Sequence, residues 1–251
     1  MAEQSSPRGT SPRSGEPVTT QHLLVRYAKR GKMRFASHLD VARAFERGVR
    51  RADLPIAYST GFTPHPKISY AGGAPTGVAS EAEYLSLTLT SRTEAGAVRE
   101  RLNAALPDGI DVIAVTEDSG GLPASLLTAS EWQIAFPGLP PAEVEPVTAK
   151  FLALTEAPVE RLTSKGVRRM DARAPVVSLD VRHDAVSHDT ASPDTAPGTV
   201  LRMTVRHTSP AVRPDDVLTA LRDVSDVFPA GQPLITRLAQ GTLGESGVVR
   251  P

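Results

Sequence analysis

Residues 33–80, MRFASHLDVARAFERGVRRADLPIAYSTGFTPHPKISYAGGAPTGVAS, hold a helix whose start, period and end can all be read from residue type. Ser37 stands three residues before Asp40, so its hydroxyl can accept from the Asp40 N–H while the Asp40 carboxylate reaches back, as in a capping box. Leu39, Ala42, Phe45, Val49 and Ala52 recur every three or four residues and predict a stripe facing a core. Pro55 ends the helix, because it disfavours helical backbone at Leu54. Turn formers dominate residues 55–82 (Pro55, Gly61, Pro64, Pro66, Gly72, Gly73, Pro75, Gly77), with a short strand expected at 67–71.

On the N-terminal side, Leu23, Val25 and Tyr27 alternate with His22, Leu24 and Arg26, the period of a strand with one more polar face. Lys29, Arg30, Gly31 and Lys32 then read as a basic turn. On the C-terminal side, Leu85, Leu87 and Leu89 alternate in a further strand. A helix capped by Thr93 carries Val98, Leu102 and Leu106, and residues 110–115 form the next strand. The order is βαββαβ.

Residues 119–129, with Gly120, Gly121 and Pro123, read as a linker, after which the order recurs. Trp132, Ile134 and Phe136 alternate as a strand, and Pro140-Pro141 opens a helix bearing Val144, Val147, Phe151 and Leu154. Strands follow at 159–163, 176–181 and 199–206, then a helix from Pro214 with Val217, Leu218 and Leu221, and a strand at 234–239. Residues 1–20 and 241–251 read as flexible tails, and 183–198 as a mobile insertion at a hairpin tip. The expected fold class is α+β: two ferredoxin-like βαββαβ units in tandem, residues 21–118 and 130–240, each an antiparallel sheet with helices on one face. A single interrupted α+β domain is the alternative.

The 251 residues are 40% hydrophobic, 22% charged and 4% aromatic, so the cores must be built mainly from Val, Leu, Ala and Ile. There is no cysteine, which excludes a disulfide, a zinc-thiolate site, a cysteine nucleophile or a cysteine-ligated iron–sulfur cluster in this chain. No apolar run approaches the roughly 18 residues that span a bilayer, and residues 1–20 lack the apolar core of a secretory signal. A cytoplasmic protein with no membrane partner is expected. The net charge of +0 conceals a segregation: residues 21–70 hold ten Lys plus Arg against three Asp plus Glu, residues 81–160 four against thirteen, and residues 161–182 six against two. Such segregation can make one face electropositive and favours a polyanionic partner.

Arg43, Arg47 and Arg50 are spaced i, i+4, i+7 and share a helical face, flanked by Arg51 and approached by Arg34. Guanidinium forks in a stripe suit phosphate oxygens, although a solvated helix face with Glu46 beside it would carry the same residues. His38, Asp40 and His65 are the candidate acid–base groups. Their spacing matches no metal-ligand pattern, and Asp40 already has a capping role, so neither a metal nor a cofactor is expected. His65, held between Pro64 and Pro66, suits binding, because its loop loses little entropy on contact. The glycine run at 71–77 could bring backbone N–H groups to an anion. It matches neither a P-loop nor a dinucleotide fingerprint, and reads better as a connection between strands. Lys165, Arg168 and Arg169 around Gly166 form a second basic turn, with Lys67 a further cation near His65.

Three motifs, RFASHLD at 34–40, GFTPHPKIS at 61–69 and TGVASEAEY at 76–84, occur in this order, and a Ser-Lys-Gly turn followed by Met170-Asp171 comes later. Together they resemble the bacterial radical-SAM-linked protein family, a domain of unknown function fused to or encoded beside radical SAM enzymes. The likeness covers roughly residues 21–182 and continues faintly to about 240. It implies an accessory to a separate radical SAM enzyme, acting on RNA; the RNA partner expected from the basic surface is tRNA or rRNA. Without cysteine, this chain cannot hold the enzyme's cluster, and any radical chemistry belongs to the partner. The expected function is therefore a non-catalytic accessory protein that binds RNA or presents a substrate through Arg34, Arg43, Arg47, Arg50, His65, Lys67, Lys165, Arg168 and Arg169. One alternative is an RNA-modifying or RNA-cleaving enzyme using His38, Asp40 and His65, by fold analogy alone. It lacks the Arg-Thr-Asp-x-Gly stretch of a pseudouridine synthase. A protein–protein adaptor is the other.

Overall fold

The computed structural model describes residues 21–118, 126–164, 166–182, 198–229, 233–244 and 249–250. The first half contains β1 (Gln21–Lys29), a 3₁₀ turn (Gly31–Phe35), α1 (His38–Arg51), β2 (Ile68–Ala71), β3 (Ala79–Leu89), α2 (Ala95–Ala105) and β4 (Ile110–Glu117). The second contains β5 (Ala129–Pro137), α3 (Pro141–Ala153), β6 (Pro158–Thr163), β7 (Gly166–Asp171), β8 (Val176–Arg182), β9 (Gly198–Arg206), α4 (Pro214–Val224), β10 (Leu234–Leu243) and β11 (Val249–Arg250). No helix among the described residues is long and apolar enough to cross a membrane.

The fold is mixed α+β with four helices among the described residues, and its main sheet is one rather than the two expected. Nine strands form it, in the order β4-β1-β3-β10-β5-β9-β8, with β2 also on β3 and β11 on β10. The halves merge because β3 has eleven residues, several more than its leucine alternation predicted. The four residues of β2 cover only Tyr84–Leu87 of that strand. The exposed backbone beyond them needs partners. β10 supplies them through the parallel pairs Thr236↔Ala79 and Arg237↔Ser80, whereas the other pairings in the sheet are antiparallel. Each half has a core, and Val78 of the first half packs into that of the second. Leu23, Phe45, Leu87 and Leu102 centre the first, and Phe136, Phe151, Leu201 and Leu218 the second.

Local elements follow the sequence with instructive exceptions. The α1 capping box is present: Ser37 Oγ accepts from Asp40 N at 3.2 Å, and the Asp40 carboxylate accepts from Ser37 N at 3.1 Å. Its buried side is Val41, Ala44, Phe45, Gly48 and Val49, which leaves Leu39 exposed. The stripe is turned because Gly48 presses against Leu106, where an added Cβ would sit 2.9 Å from Cδ2. α2 is capped by Glu94, not Thr93. The Glu94 carboxylate accepts from the N–H groups of Gly96 and Ala97, while the Thr93 N–H donates to buried Gln21.

The basic stretch expected as a turn at 163–171 is mostly strand β7, paired with β6 as a separate two-stranded sheet. Arg161 on β6 ties that hairpin to α4 through Asp216 at 2.6 Å. Residues 241–251 are not simply a tail, since β10 runs to Leu243 and β11 pairs back on it with Val249 buried. At the end of the expected linker, Leu127 is buried and Thr128 N donates to Gly241 O. Residues 1–20, 119–125, 165 and 183–197 lie outside the described residues.

Candidate functional site at the joint of the two halves

The inward positions of β1, Leu23, Val25 and Tyr27, lead two residues on to Lys29, which is 3% exposed. On β3, Leu89, Leu87 and Leu85 lead in the same way to Glu83, also 3% exposed. Ile235 on β10 leads to Arg237, again 3% exposed. Since these strands are neighbours, the period of two delivers three charges to one buried place. Tyr27 lies opposite Glu83 in the ladder, and Arg237 opposite Ser80.

Arg237 is the organising donor. Its Nη2 is ion-paired with Glu83 Oε1, Nη1 donates to Gln240 Oε1 at 3.0 Å, and Nε to Ser80 Oγ at 3.3 Å. The guanidinium also lies 5.6 Å from the centre of the Trp132 ring, a cation–π contact. Glu83 further accepts from Ala74 N at 3.1 Å, and the Gln240 amide donates to Ala82 O at 2.8 Å and Gly72 O at 3.3 Å. The network satisfies buried polar groups across more than 150 residues of sequence and fastens the halves together.

Lys29 is differently placed. Its ammonium donates to Ala74 O at 3.2 Å and Pro75 O at 3.3 Å, carbonyls rather than a carboxylate. Burial pushes its pKa down, Glu83 pulls it back up, and Arg237 adds to the depression. Beside it is a cavity of about 210 Å³ lined by Tyr27, Lys29, Ala36, His38, Val41, Gly73, Ala74 and Glu83. His38, the first residue of α1, sets its ring edge-on to Tyr70 at 5.2 Å. The buried hydroxyls of Tyr70 and Tyr84 have no hydrogen-bond partner among the described residues, and burial pushes both phenol pKa values up.

The cavity thus unites parts of three stretches singled out in the sequence: Ala36 and His38, the glycine run through Gly73 and Ala74, and Glu83 of the third motif. Other expected residues lie elsewhere. His65 is in an exposed loop, its N–H donating to Ser59 Oγ at 3.0 Å and its carbonyl accepting from Ser59 N at 2.8 Å. Asp40 is engaged by Ser37, whose hydrogen bonds hold the carboxyl below the usual range. Of the three acid–base candidates, only His38 lines the cavity.

Arg43, Arg47 and Arg50 lie exposed on the outer face of α1, and Glu46 forms no ion pair with them. Arg34 stacks on Phe35 at 4.7 Å. Lys67 and Arg168 are exposed, Arg169 is paired with Glu160 at 2.6 Å, and Lys165 is outside the described residues. Sequence reading missed Lys29, Ser80, Glu83, Arg237 and Gln240 as a group. The available signal was that the three charges continue apolar alternations.

By fold and site this is an α+β protein built on a large, mostly antiparallel sheet, with a buried ionic network at the centre of that sheet and a cavity against it. The chain belongs to a family of uncharacterized proteins conserved in bacteria, DUF2344, whose model matches residues 22–214. The family's description names no activity and no partner. No curated protein matches the chain. Among solved structures, an unknown protein from Galdieria sulphuraria is similar at 16% identity, over 82% of this chain and 92% of that one. With a TM-score of 0.23, that likeness supports no conclusion about fold or function.

Proposed function

We propose that the protein is a non-catalytic, cytoplasmic accessory that binds RNA across the exposed face of α1 and the neighbouring loops, and serves a separate radical SAM enzyme. The observation that carries the RNA reading is the set of exposed arginines, Arg43, Arg47 and Arg50, with no intramolecular ion pair among the described residues. Two exposed aromatics add to it. Phe35 is 59% exposed beneath Arg34, and Phe62 stands fully out of the loop that carries His65 and Lys67. Cations for phosphates and rings for stacking bases are the combination single-stranded RNA requires. The radical SAM partner rests on the sequence resemblance alone. We read the repeated strand orders, β4-β1-β3-β2 and β10-β5-β9-β8, as two ferredoxin-like units joined edge to edge.

The test is the anisotropy of labelled tRNA and of a single-stranded RNA titrated with the protein over a series of salt concentrations. Affinity should fall linearly on logarithmic axes. Replacing Arg43, Arg47 and Arg50 together by Ala should reduce the single-strand slope by about 2, since each phosphate contact contributes about 0.7. Phe62→Ala should weaken binding by about 1–3 kcal/mol with the slope unchanged. No binding at low salt, or a triple variant with the native slope, would sink the proposal. A co-purifying protein that survives nuclease treatment in the absence of RNA affinity would favour an adaptor instead.

A further inference from the structure

Lys29, Glu83 and Arg237 leave one positive charge over when all three are ionised, and all are buried. Glu83 is already held by Arg237 and by the Ala74 N–H. The excess therefore sits on Lys29, whose ammonium has three N–H groups and gives two of them to carbonyls at 3.2 and 3.3 Å. A buried cation in excess of its carboxylate is costly, which favours release of the proton or uptake of an anion. The adjoining cavity of about 210 Å³ exceeds the roughly 30 Å³ that a water molecule occupies in the liquid.

We infer that the cavity beside Lys29 is a binding site for one oxyanion group, a carboxylate or a phosphate, of a small molecule. Lys29 supplies the charge, and His38, at the start of α1, also lines the cavity. Tyr27 adds a phenol that its surroundings keep protonated, hence a donor, because burial pushes its pKa up. Glu83 also lines the cavity, and its ion pair with Arg237 is what lets an anion approach it. Ala36 and Val41 give the remaining wall an apolar surface suited to the carbon part of such a molecule. Gly73 keeps the space open: a Cβ there would lie 3.8 Å from His38 Nδ1 and 3.9 Å from Glu83 Oε2, so a larger side chain would occupy the site.

None of the residues lining the cavity is among those assigned to the RNA face. The test is calorimetric titration of the full chain with inorganic phosphate and with acetate, in two buffers of different ionisation enthalpy. Saturable one-site binding with proton uptake is expected, because the anion holds the Lys29 proton on. Affinity should fall as pH rises through the Lys29 pKa, with Glu83, Tyr27 and His38 the other titratable groups lining the site and Arg237 paired to Glu83. Lys29→Met should weaken binding by about tenfold or more, the loss of a charge-assisted hydrogen bond. Gly73→Val, which keeps the lysine and fills the space, should do the same. Replacing Arg43, Arg47 and Arg50 by Ala should leave anion binding unchanged, so failure of the RNA reading is read separately. Preference for phosphate or acetate distinguishes the two sources. The inference is overturned if neither ion saturates the native protein, or if both Lys29→Met and Gly73→Val bind as the native protein does.

Discussion

Glu83→Ala is expected to destabilise the protein by about 3–5 kcal/mol, the cost of stranding a buried charge. The substitution leaves Arg237 and Lys29 facing one another at 3% exposure with no carboxylate between them, and removes the acceptor of the Ala74 N–H. The damage falls where the two halves meet, and there β3 and β10 share only two ladder pairs. Denaturant unfolding followed through Trp132, the chain's single tryptophan and the ring beneath Arg237, reports on that place directly. The double variant Glu83→Leu with Arg237→Met should recover much of the loss, because apolar groups of similar volume need no counter-charge. A cost for Glu83→Ala below about 1 kcal/mol, the range of a solvated surface pair, would show that the network is not dry.

The same three residues explain how far this sequence could be read. Alternation located β1 and β3 and fixed which face points inward, so Lys29 and Glu83, two residues beyond those runs, fall on the core face, whereas Arg237 lies in the strand expected at 234–239 with no face assigned. Residue type argued the other way. A lysine followed by Arg30, Gly31 and Lys32 looks like a turn, and a glutamate before a leucine strand looks like its solvated beginning. A buried charge is tolerable only with a partner, and here the partner is 154 residues away, beyond any local pattern. The two-sheet expectation failed for a related reason, because nothing local marks the short parallel pairing that joins the halves. The α1 capping box, by contrast, is a contact between residues three apart and was legible in full. Its core stripe was legible only in part, because the close approach of Gly48 to Leu106 that turns the helix belongs to tertiary packing. Of the candidate site, His38 and the glycine run were visible by type, whereas their convergence with Glu83 required the sheet.

Phe45→Ala is expected to cost about 3–5 kcal/mol, as for other fully buried aromatic side chains cut to Ala. Phe45 has no exposed surface, and its ring meets Tyr27 at 4.7 Å and Tyr70 at 6.4 Å. It therefore fixes α1 against both β1, on which Lys29 sits, and β2. The helix cannot easily settle into the space left by the ring, since Gly48 already presses on Leu106, so the cost should lie toward the upper end. Function separates this variant from the arginine substitutions. Below its unfolding transition, Phe45→Ala retains Arg43, Arg47 and Arg50, and the salt slope of RNA binding should stay close to native even as affinity falls. The triple arginine variant should instead lose slope and keep its stability, because those side chains are exposed and outside any ion pair among the described residues. Measuring stability and slope on both proteins therefore tells a helix that carries phosphate contacts from one that only packs. Equal slopes in the native, Phe45→Ala and triple variants would assign α1 to packing alone.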